Sequence, residues 1–304
     1  MRLLLIDGHY YVFRSFFAIQ SLSNSKGEPT NAIYGFVKTL RRMLKDVQPD
    51  LAAVVWDKGL PKRRTELQPE YKQQRAEMPD LMRPQLDFIK DELTELLGFR
   101  GVCLDDTEAD DLMATYCCEA RRRGDEVILA TNDKDLFQLV DEKVKVYTTN
   151  KTDLASPKDS HALLGPEKVL VKWGVKPEQI GDVLALIGDT VDNIPGVPGV
   201  GPKNASALIG EYGSVEGLLA NIDKVKKPAM REKLQGAREQ IVANREMVRL
   251  DLDLPMPAPL DALRVEPKYP ELIAALERCE FKGLLEEIRA EAAKAGSLNQ
   301  GELF

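Results

Sequence analysis

Histidine is almost missing from this chain: His9 and His161 are the only two in 304 residues. Chemistry built on imidazole bases or histidine-rich metal sites therefore has little material. Cysteine is sparse as well. Cys103, Cys117, Cys118 and Cys279 form no CxxC pair, and two of them are sequence neighbours, which argues against a disulfide framework and a zinc site and leaves reduced, buried thiols. Long apolar runs are absent. No stretch approaches the roughly 18 apolar residues of a membrane span, and the N-terminal MRLLLIDGHYYVF meets Asp7 too soon for a signal peptide, so a cytosolic protein is expected. An excess of positive charge is also lacking. The formal net charge is −7, whereas duplex binding normally needs a basic surface. The sum conceals a local exception: KGLPKRRTELQPEYKQQR carries Lys58, Lys62, Arg63, Arg64, Lys72 and Arg75 against two glutamates.

What remains for chemistry is carboxylate. With 43% hydrophobic residues over this length, the chain can bury one large domain and a smaller one. RLLLI (2–6), LAAVVW (51–56), EVILA (126–130) and VKVYT (144–148) read as buried strands. Helical patterns lie between the first three: NAIYGFVKTLRRMLKDV, with apolar Ile33, Phe36, Val37, Leu40 and Leu44, then MRPQLDFIKDELTELLG and EADDLMATYCCEARRRG, which end in the C-cap candidates Gly98 and Gly124. The alternation predicts an α/β fold with a mostly parallel central sheet flanked by helices. Strand signals fade after about residue 165 and helices with Gly/Pro-rich connectors follow, so a boundary is placed there.

The strands run into aspartate. LLLIDG gives Asp7, AVVWDKG gives Asp57, and ILATNDKD gives Asp133 and Asp135. In an open parallel sheet the carboxyl ends of strands share one edge, where ligands bind. The stretch CLDDTEADDLMAT adds Asp105, Asp106, Glu108, Asp110 and Asp111 in seven positions. Thr107 can be an N-cap, with Asp105 and Asp106 an exposed lead-in and acidic residues favouring the helix dipole. Glu108, Asp110 and Asp111 open that helix at the same edge. Each aspartate alone is an ordinary turn or cap residue; the gathered set is not. Carboxylates without His or Cys favour Mg²⁺ or Mn²⁺, and two such ions about 4 Å apart can drive in-line displacement at a phosphoryl group.

A second segment, ALIGDTVDNIPGVPGVGPKNASALIGEYGS (185–214), reads as helix, Gly/Pro-rich loop, helix, with Pro202 in a first turn and Gly213 at a C-cap. Gly199 and Gly201 permit close backbone approach, and the following helix start beside Lys203 is a ready phosphate site. Many such loops are only tight turns. Asp189 and Asp192 stand at the mouth of this one, as further members of the acidic set or as Asx-turn residues.

LLIDGHYYVFRSFFA, NSKGEPTNAIYGF, VVWDKG, YKQQRAEMPDLMRPQ, TEADDLMAT, NDKDLFQLV and GDTVDNIPGVPGVGPKNASAL together resemble the 5′ to 3′ exonuclease domain of bacterial DNA polymerase I, in the flap endonuclease family, from residue 2 to about 290. The resemblance implies a PIN-like 5′ nuclease fold in 1–165, with a helical arch around 60–95, and a helical DNA-binding subdomain with a helix-hairpin motif in 166–290. It implies metal ligands Asp7, Asp57, Glu108, Asp110, Asp111, Asp133, Asp135, Asp189 and Asp192, holding two or more Mg²⁺ or Mn²⁺ ions, and K⁺ at the hairpin. Lys72 and Arg75, at i and i+3 of an arch helix, would face the scissile phosphate; the plain alternative is a solvated helix face. Tyr71 would stack on an unpaired base, Arg63 and Arg64 would add to the basic DNA-binding patch, and Gly199, Gly201 and Lys203 would hold duplex.

The expected activity is removal of 5′ flaps or RNA primers in replication and repair, by a monomer in the bacterial cytoplasm near the nucleoid. A non-cleaving DNA-binding scaffold and a PIN-type ribonuclease are the rivals. Two features depart from the family pattern: the sequence stops at 304 without a polymerase domain, which reads as a stand-alone nuclease or an excised domain, and NKTDLASPKDSHALLGPEKV is longer and more polar than expected. The last segment, 291–304, reads as a flexible tail. Its Gln300, Leu303 and Phe304 resemble the peptide that docks on the bacterial sliding clamp; a frayed terminus is the equal alternative.

Overall fold

Strand formation follows from full burial. In the strand Arg2–Asp7 (β1), Leu3, Leu4, Leu5 and Ile6 are all inaccessible to solvent, the continuous apolar signature of a strand covered on both faces. The structure is a computed structural model that describes residues 1–156 and 158–301. Five more strands, Leu51–Val55 (β2), Arg100–Val102 (β3), Glu126–Ala130 (β4), Val144–Thr148 (β5) and Ala162–Leu164 (β6), complete a six-stranded sheet of order β3-β2-β1-β4-β5-β6. β1 and β2 pair in parallel from Leu3 opposite Leu51 to Asp7 opposite Val55. β2 with β3 and β4 with β5 are also parallel, and β6 runs antiparallel to β5. The mostly parallel sheet expected from the sequence is thus present. The long polar segment after residue 148 supplies its antiparallel edge, which short polar-flanked β6 was too brief to announce.

Packing divides the chain into two units. The first comprises Met1–Trp56, Met78–Val102 and the chain from Ala258. Its helix Asn31–Val47 buries Ile33, Phe36, Val37, Leu40, Met43 and Val47 and stops where Gln48 turns left-handed. The helix that begins at Arg83–Phe88 widens into a π turn over Ile89–Leu93, where the buried Thr94 hydroxyl donates to the Ile89 carbonyl at 2.7 Å. Helix Lys282–Gly301 closes this unit, with Glu287 and Glu291 paired to Arg41 at 2.7 and 2.6 Å. Where a flexible tail from 291 was expected, helix continues to Gly301. Leu303 and Phe304, like the side chain of Gln300, lie outside the described residues.

The second unit comprises Asp57–Glu77 and Cys103–Pro257. Its helix Ala109–Arg123 buries Leu112, Met113 and Tyr116 completely and ends at Gly124, φ 83°. Burying side chains of this size stabilises by about 1.5–3 kcal/mol each, which anchors a helix whose first turn is acidic. Helices Ile180–Ile187 and Pro202–Tyr212 flank the Gly/Pro-rich loop, with Pro202 in the first turn and Gly213 at the C-cap, as the sequence suggested. Gly188 is indispensable here: at φ 67° and ψ −171°, a conformation reserved for glycine, a Cβ would also lie 2.4 Å from the Ile194 carbonyl. Among the described residues no helix is long and apolar enough to cross a membrane.

Candidate active site

Helix Ala109–Arg123 places the central carboxylates. Its N-cap is Glu108, not Thr107; the Thr107 hydroxyl donates instead to the Asp105 carbonyl at 3.0 Å. The Ala109 N–H is taken by Asp57 Oδ1 at 2.7 Å, so a carboxylate from the loop after β2 performs the capping and is thereby fixed against this helix. Among the described residues, Glu108, Asp110 and Asp111 each offer an oxygen within 4.8 Å of the others. Asp105 and Asp106 are exposed, and Lys58 pairs with Asp105 at 2.7 Å. The acidic run is therefore two groups, as expected: an outer lead-in and an inner cluster.

Such a cluster raises its own electrostatic free energy unless cations face it. Arg64 and Lys72 do. Arg64 is 1% exposed and pairs with Glu108, with Asp111 Oδ1 at 3.0 Å and with Asp110 Oδ2 at 3.4 Å. Lys72 pairs with Glu108 and lies 3.8 Å from Asp192 Oδ2. Tyr71 donates its hydroxyl to Glu108 Oε2 at 3.0 Å and is 4% exposed. Arg75 reaches Asp192 Oδ1 at 2.7 Å.

These placements correct three expectations. Arg63 and Arg64 do not form an open DNA-facing patch: Arg63 donates to the Glu246 and Arg249 carbonyls, and Arg64 turns inward because the acidic cluster demands a buried counter-charge. Tyr71 presents no free ring face for stacking, because burial and Glu108 hold it. Lys72 and Arg75 share no arch helix. Helix is confined to Lys62–Leu67 on this side, and 69–74 is a series of turns with Lys72 at φ 59°. The physical cause is a lacing to the loop after Gly188: Gln68 donates to the Asn193 carbonyl, Asn193 to the Glu70 carbonyl at 2.9 Å, Gln74 to Asn193 Oδ1 at 2.6 Å, and the Lys72 N–H to the Asp192 carbonyl at 3.2 Å.

The remaining candidates lie on other segments. Asp133 Oδ1 accepts from the Asp135 N–H at 2.9 Å after β4. Lys134, between them, pairs with Asp189 Oδ2 at 2.8 Å, and Asp189 folds its own loop by accepting from Val191 N–H at 2.9 Å. Asp7 ends β1 in the first unit, where its Oδ1 accepts from Tyr10 N–H at 3.0 Å; its candidacy rests on the sequence motif. In the hairpin, Gly199 needs its φ of 77°, whereas Gly201 has φ −87° and nothing within 4 Å of a would-be Cβ. The fold demands glycine at 199 but not at 201. Lys203 is exposed beside it.

Sequence reasoning missed the inward role of Arg64, the Lys134 bridge, and the segment after helix Arg238–Met247. That segment supplies the Asp251 N–H, 2.9 Å from Asp111 Oδ1. Uncompensated acidity was the one available signal, since nine candidate carboxylates require cations from somewhere.

Loss of water and the neighbouring Asp110 carboxylate push the Asp111 carboxyl up to about 8. The same causes in the same order raise Asp133 to about 6 even though the residue as a whole is exposed. Asp135 rises well above the usual carboxylate range through loss of water and the charge of Asp133. Raised folded-state values mean that the folded protein binds protons more tightly than the unfolded chain, so their stabilisation is present at low pH and lost as pH climbs from about 4 to about 8. The metal-free protein is thus expected to melt at a lower temperature at pH 8 than at pH 6. Divalent cations, which need the ionised carboxylates, should raise the melting temperature more at pH 8. Thermal melts of the parent and Asp111→Asn check this, and an unchanged slope in the variant would contradict the assignment.

Comparison with known proteins bears on the family and the fold. Residues 2–174 match the family described as 5′-3′ exonuclease, N-terminal resolvase-like domain, and residues 175–271 match 5′-3′ exonuclease, C-terminal SAM fold. A protein of Aquifex aeolicus named 5′-3′ exonuclease is 37% identical over 287 residues, covering 94% of both chains. The thermostable DNA polymerase I of Thermus thermophilus is 42% identical over 286 residues, 94% of this chain but 33% of the polymerase; the chain spans about a third of such relatives. In fold, the chain is similar to a bacteriophage T5 flap endonuclease solved as a pseudo-enzyme–product complex with DNA and metal ions, with TM-score 0.63, 24% identity, and 97% and 98% of the two chains covered.

Proposed function

Because the chain belongs to the 5′-3′ exonuclease family, we propose that it is a metal-dependent, structure-specific 5′ nuclease. It hydrolyses phosphodiester bonds at 5′ flaps, 5′ single-stranded ends and RNA–DNA primer junctions during DNA replication and repair. The observation that carries the reading is the trio Glu108, Asp110 and Asp111 within 4.8 Å, with Asp111 Oδ2 buried and unpartnered. A buried carboxylate oxygen without a hydrogen bond is costly, and an all-oxygen donor set suits hard cations, Mg²⁺ or Mn²⁺.

Glu108, Asp110 and Asp111 would hold metal, joined by Asp57, Asp133, Asp135, Asp189 and Asp192, with Asp7 added on its motif. Bound there, two or more such ions supply activation of water and stabilisation of the leaving oxygen. The chain's own residues do the rest. Lys72 and Arg75, paired with Glu108 and Asp192 beside the carboxylates, would meet the phosphate. The open side of Gly201 and the adjacent Lys203 accept a duplex backbone phosphate, and K⁺ is proposed at the same hairpin. Gln300, Leu303 and Phe304 are proposed to dock on a bacterial sliding clamp; affinity should fall when 300–304 are removed, and equal affinity rules the contact out.

The deciding experiment is incubation with a labelled 5′-flap duplex in Mg²⁺ and in EDTA. The expected result is a short 5′ product in Mg²⁺ alone. Binding without cleavage would establish the scaffold, and cleavage confined to unpaired RNA would establish the ribonuclease.

A further inference from the structure

Arg64 is buried, and every nitrogen of its side chain meets the acidic cluster or a backbone carbonyl. Its Nε donates to the Met247 carbonyl at 3.1 Å and Nη2 to the Arg249 carbonyl at 3.4 Å, which pins the guanidinium plane to the end of helix Arg238–Met247. The other edge of the fork meets Glu108 Oε2 and Asp111 Oδ1. Asp111 Oδ1 is then saturated, because it also accepts from the Asp251 N–H at 2.9 Å. Its second oxygen, Oδ2, is left buried and without a hydrogen bond. Arg64 thus takes one oxygen from each of two carboxylates; the partner oxygen of Glu108 is held by Lys72 and Tyr71, and that of Asp111 is left to face another ligand.

We propose that Arg64 is a positioning residue for the metal-binding carboxylates, an internal cation that fixes which oxygens of Glu108 and Asp111 are offered, and not a contact to DNA. The inference rests on the metal-centre reading given under Proposed function. The planar guanidinium matters, since an ammonium is a point charge that cannot span two carboxylates and two carbonyls in one plane. Without the fork, mutually repelling carboxylates must be collected when a cation arrives, and that reorganisation weakens binding. Partners that orient metal ligands typically contribute about 10- to 100-fold in affinity.

The test is a Mn²⁺ titration of the DNA-free protein, followed by calorimetry and scaled to the folded fraction from circular dichroism, with parallel flap-duplex binding in EDTA. Arg64→Gln should weaken Mn²⁺ binding by at least about tenfold and leave duplex affinity in EDTA within about twofold. Arg64→Lys should recover only part of the Mn²⁺ affinity; it also decides the matter by the same readouts if the glutamine variant does not fold. Unchanged Mn²⁺ affinity in the folded fraction, whether or not the melting temperature falls, overturns the proposal in favour of a merely structural ion pair. Duplex affinity lost in EDTA overturns it in favour of a DNA contact. Failure of the parent protein to bind Mn²⁺ would instead sink the metal-centre reading itself.

Discussion

Replacing Asp110 by alanine is expected to abolish Mg²⁺-dependent flap cleavage, by about a thousandfold or more, while fold and duplex binding survive. The magnitude follows from removing charge that a phosphoryl-transfer site uses to hold its electrostatic catalyst, where single preorganised groups already account for roughly 10²–10³ in rate. Survival of the fold follows from what Asp110 does in the metal-free protein. It raises the carboxyls of Asp111, Asp133 and Asp135 by its own charge, so its removal relieves repulsion. Its Oδ1 accepts from the Asp111 N–H at 2.8 Å, a part-buried helix contact of modest value, and its Oδ2 shares Arg64 at 3.4 Å with Glu108 and Asp111, which keep that cation paired in the variant. Relieved repulsion and the lost Arg64 contact oppose each other, so the variant should melt close to the parent without metal. Single-turnover cleavage, melting curves and binding in EDTA measure the three parts, and cleavage within tenfold of the parent would remove Asp110 from the metal set.

Lys72→Ala has the next largest expected effect, a loss of roughly 10²–10³ in kcat with flap-duplex affinity nearly unchanged. The ammonium is stored on Glu108 and near Asp192 at 3.8 Å, and its backbone N–H holds the Asp192 carbonyl. Alanine keeps that N–H and meets the left-handed φ of 59° at a cost similar to lysine, so the turn persists. What disappears is a cation adjacent to the carboxylates, which contributes only when charge develops on the phosphate. An increase in KM with unchanged kcat would show instead that Lys72 merely attracts DNA.

Much of the fold was legible because buried parallel strands are written as uninterrupted apolar runs, as in Leu3–Ile6 and Leu51–Val55. β6 was not, since three residues carry no period to read. The candidate ligands were legible for the same reason, as aspartates ending strands. The basic residues were not. Whether an arginine points to water or to a carboxylate is decided by tertiary placement, so Arg63 and Arg64 both read as surface charge from sequence, whereas Arg63 is held on two backbone carbonyls and Arg64 is engaged inside. The helical spacing of Lys72 and Arg75 failed because tertiary hydrogen bonds from Asp192 and Asn193 outweighed local propensity.

Crystals grown with Mn²⁺ and measured at the manganese absorption edge show whether these carboxylates bind divalent cations. Anomalous peaks are expected among Glu108, Asp110 and Asp111 at coordination distances of roughly 2.0–2.3 Å, with Lys72 displaced from Glu108 and Arg64 still on Asp111. Crystals in saturating Mn²⁺ that show no peak there, with Lys72 still paired to Glu108, would contradict such binding.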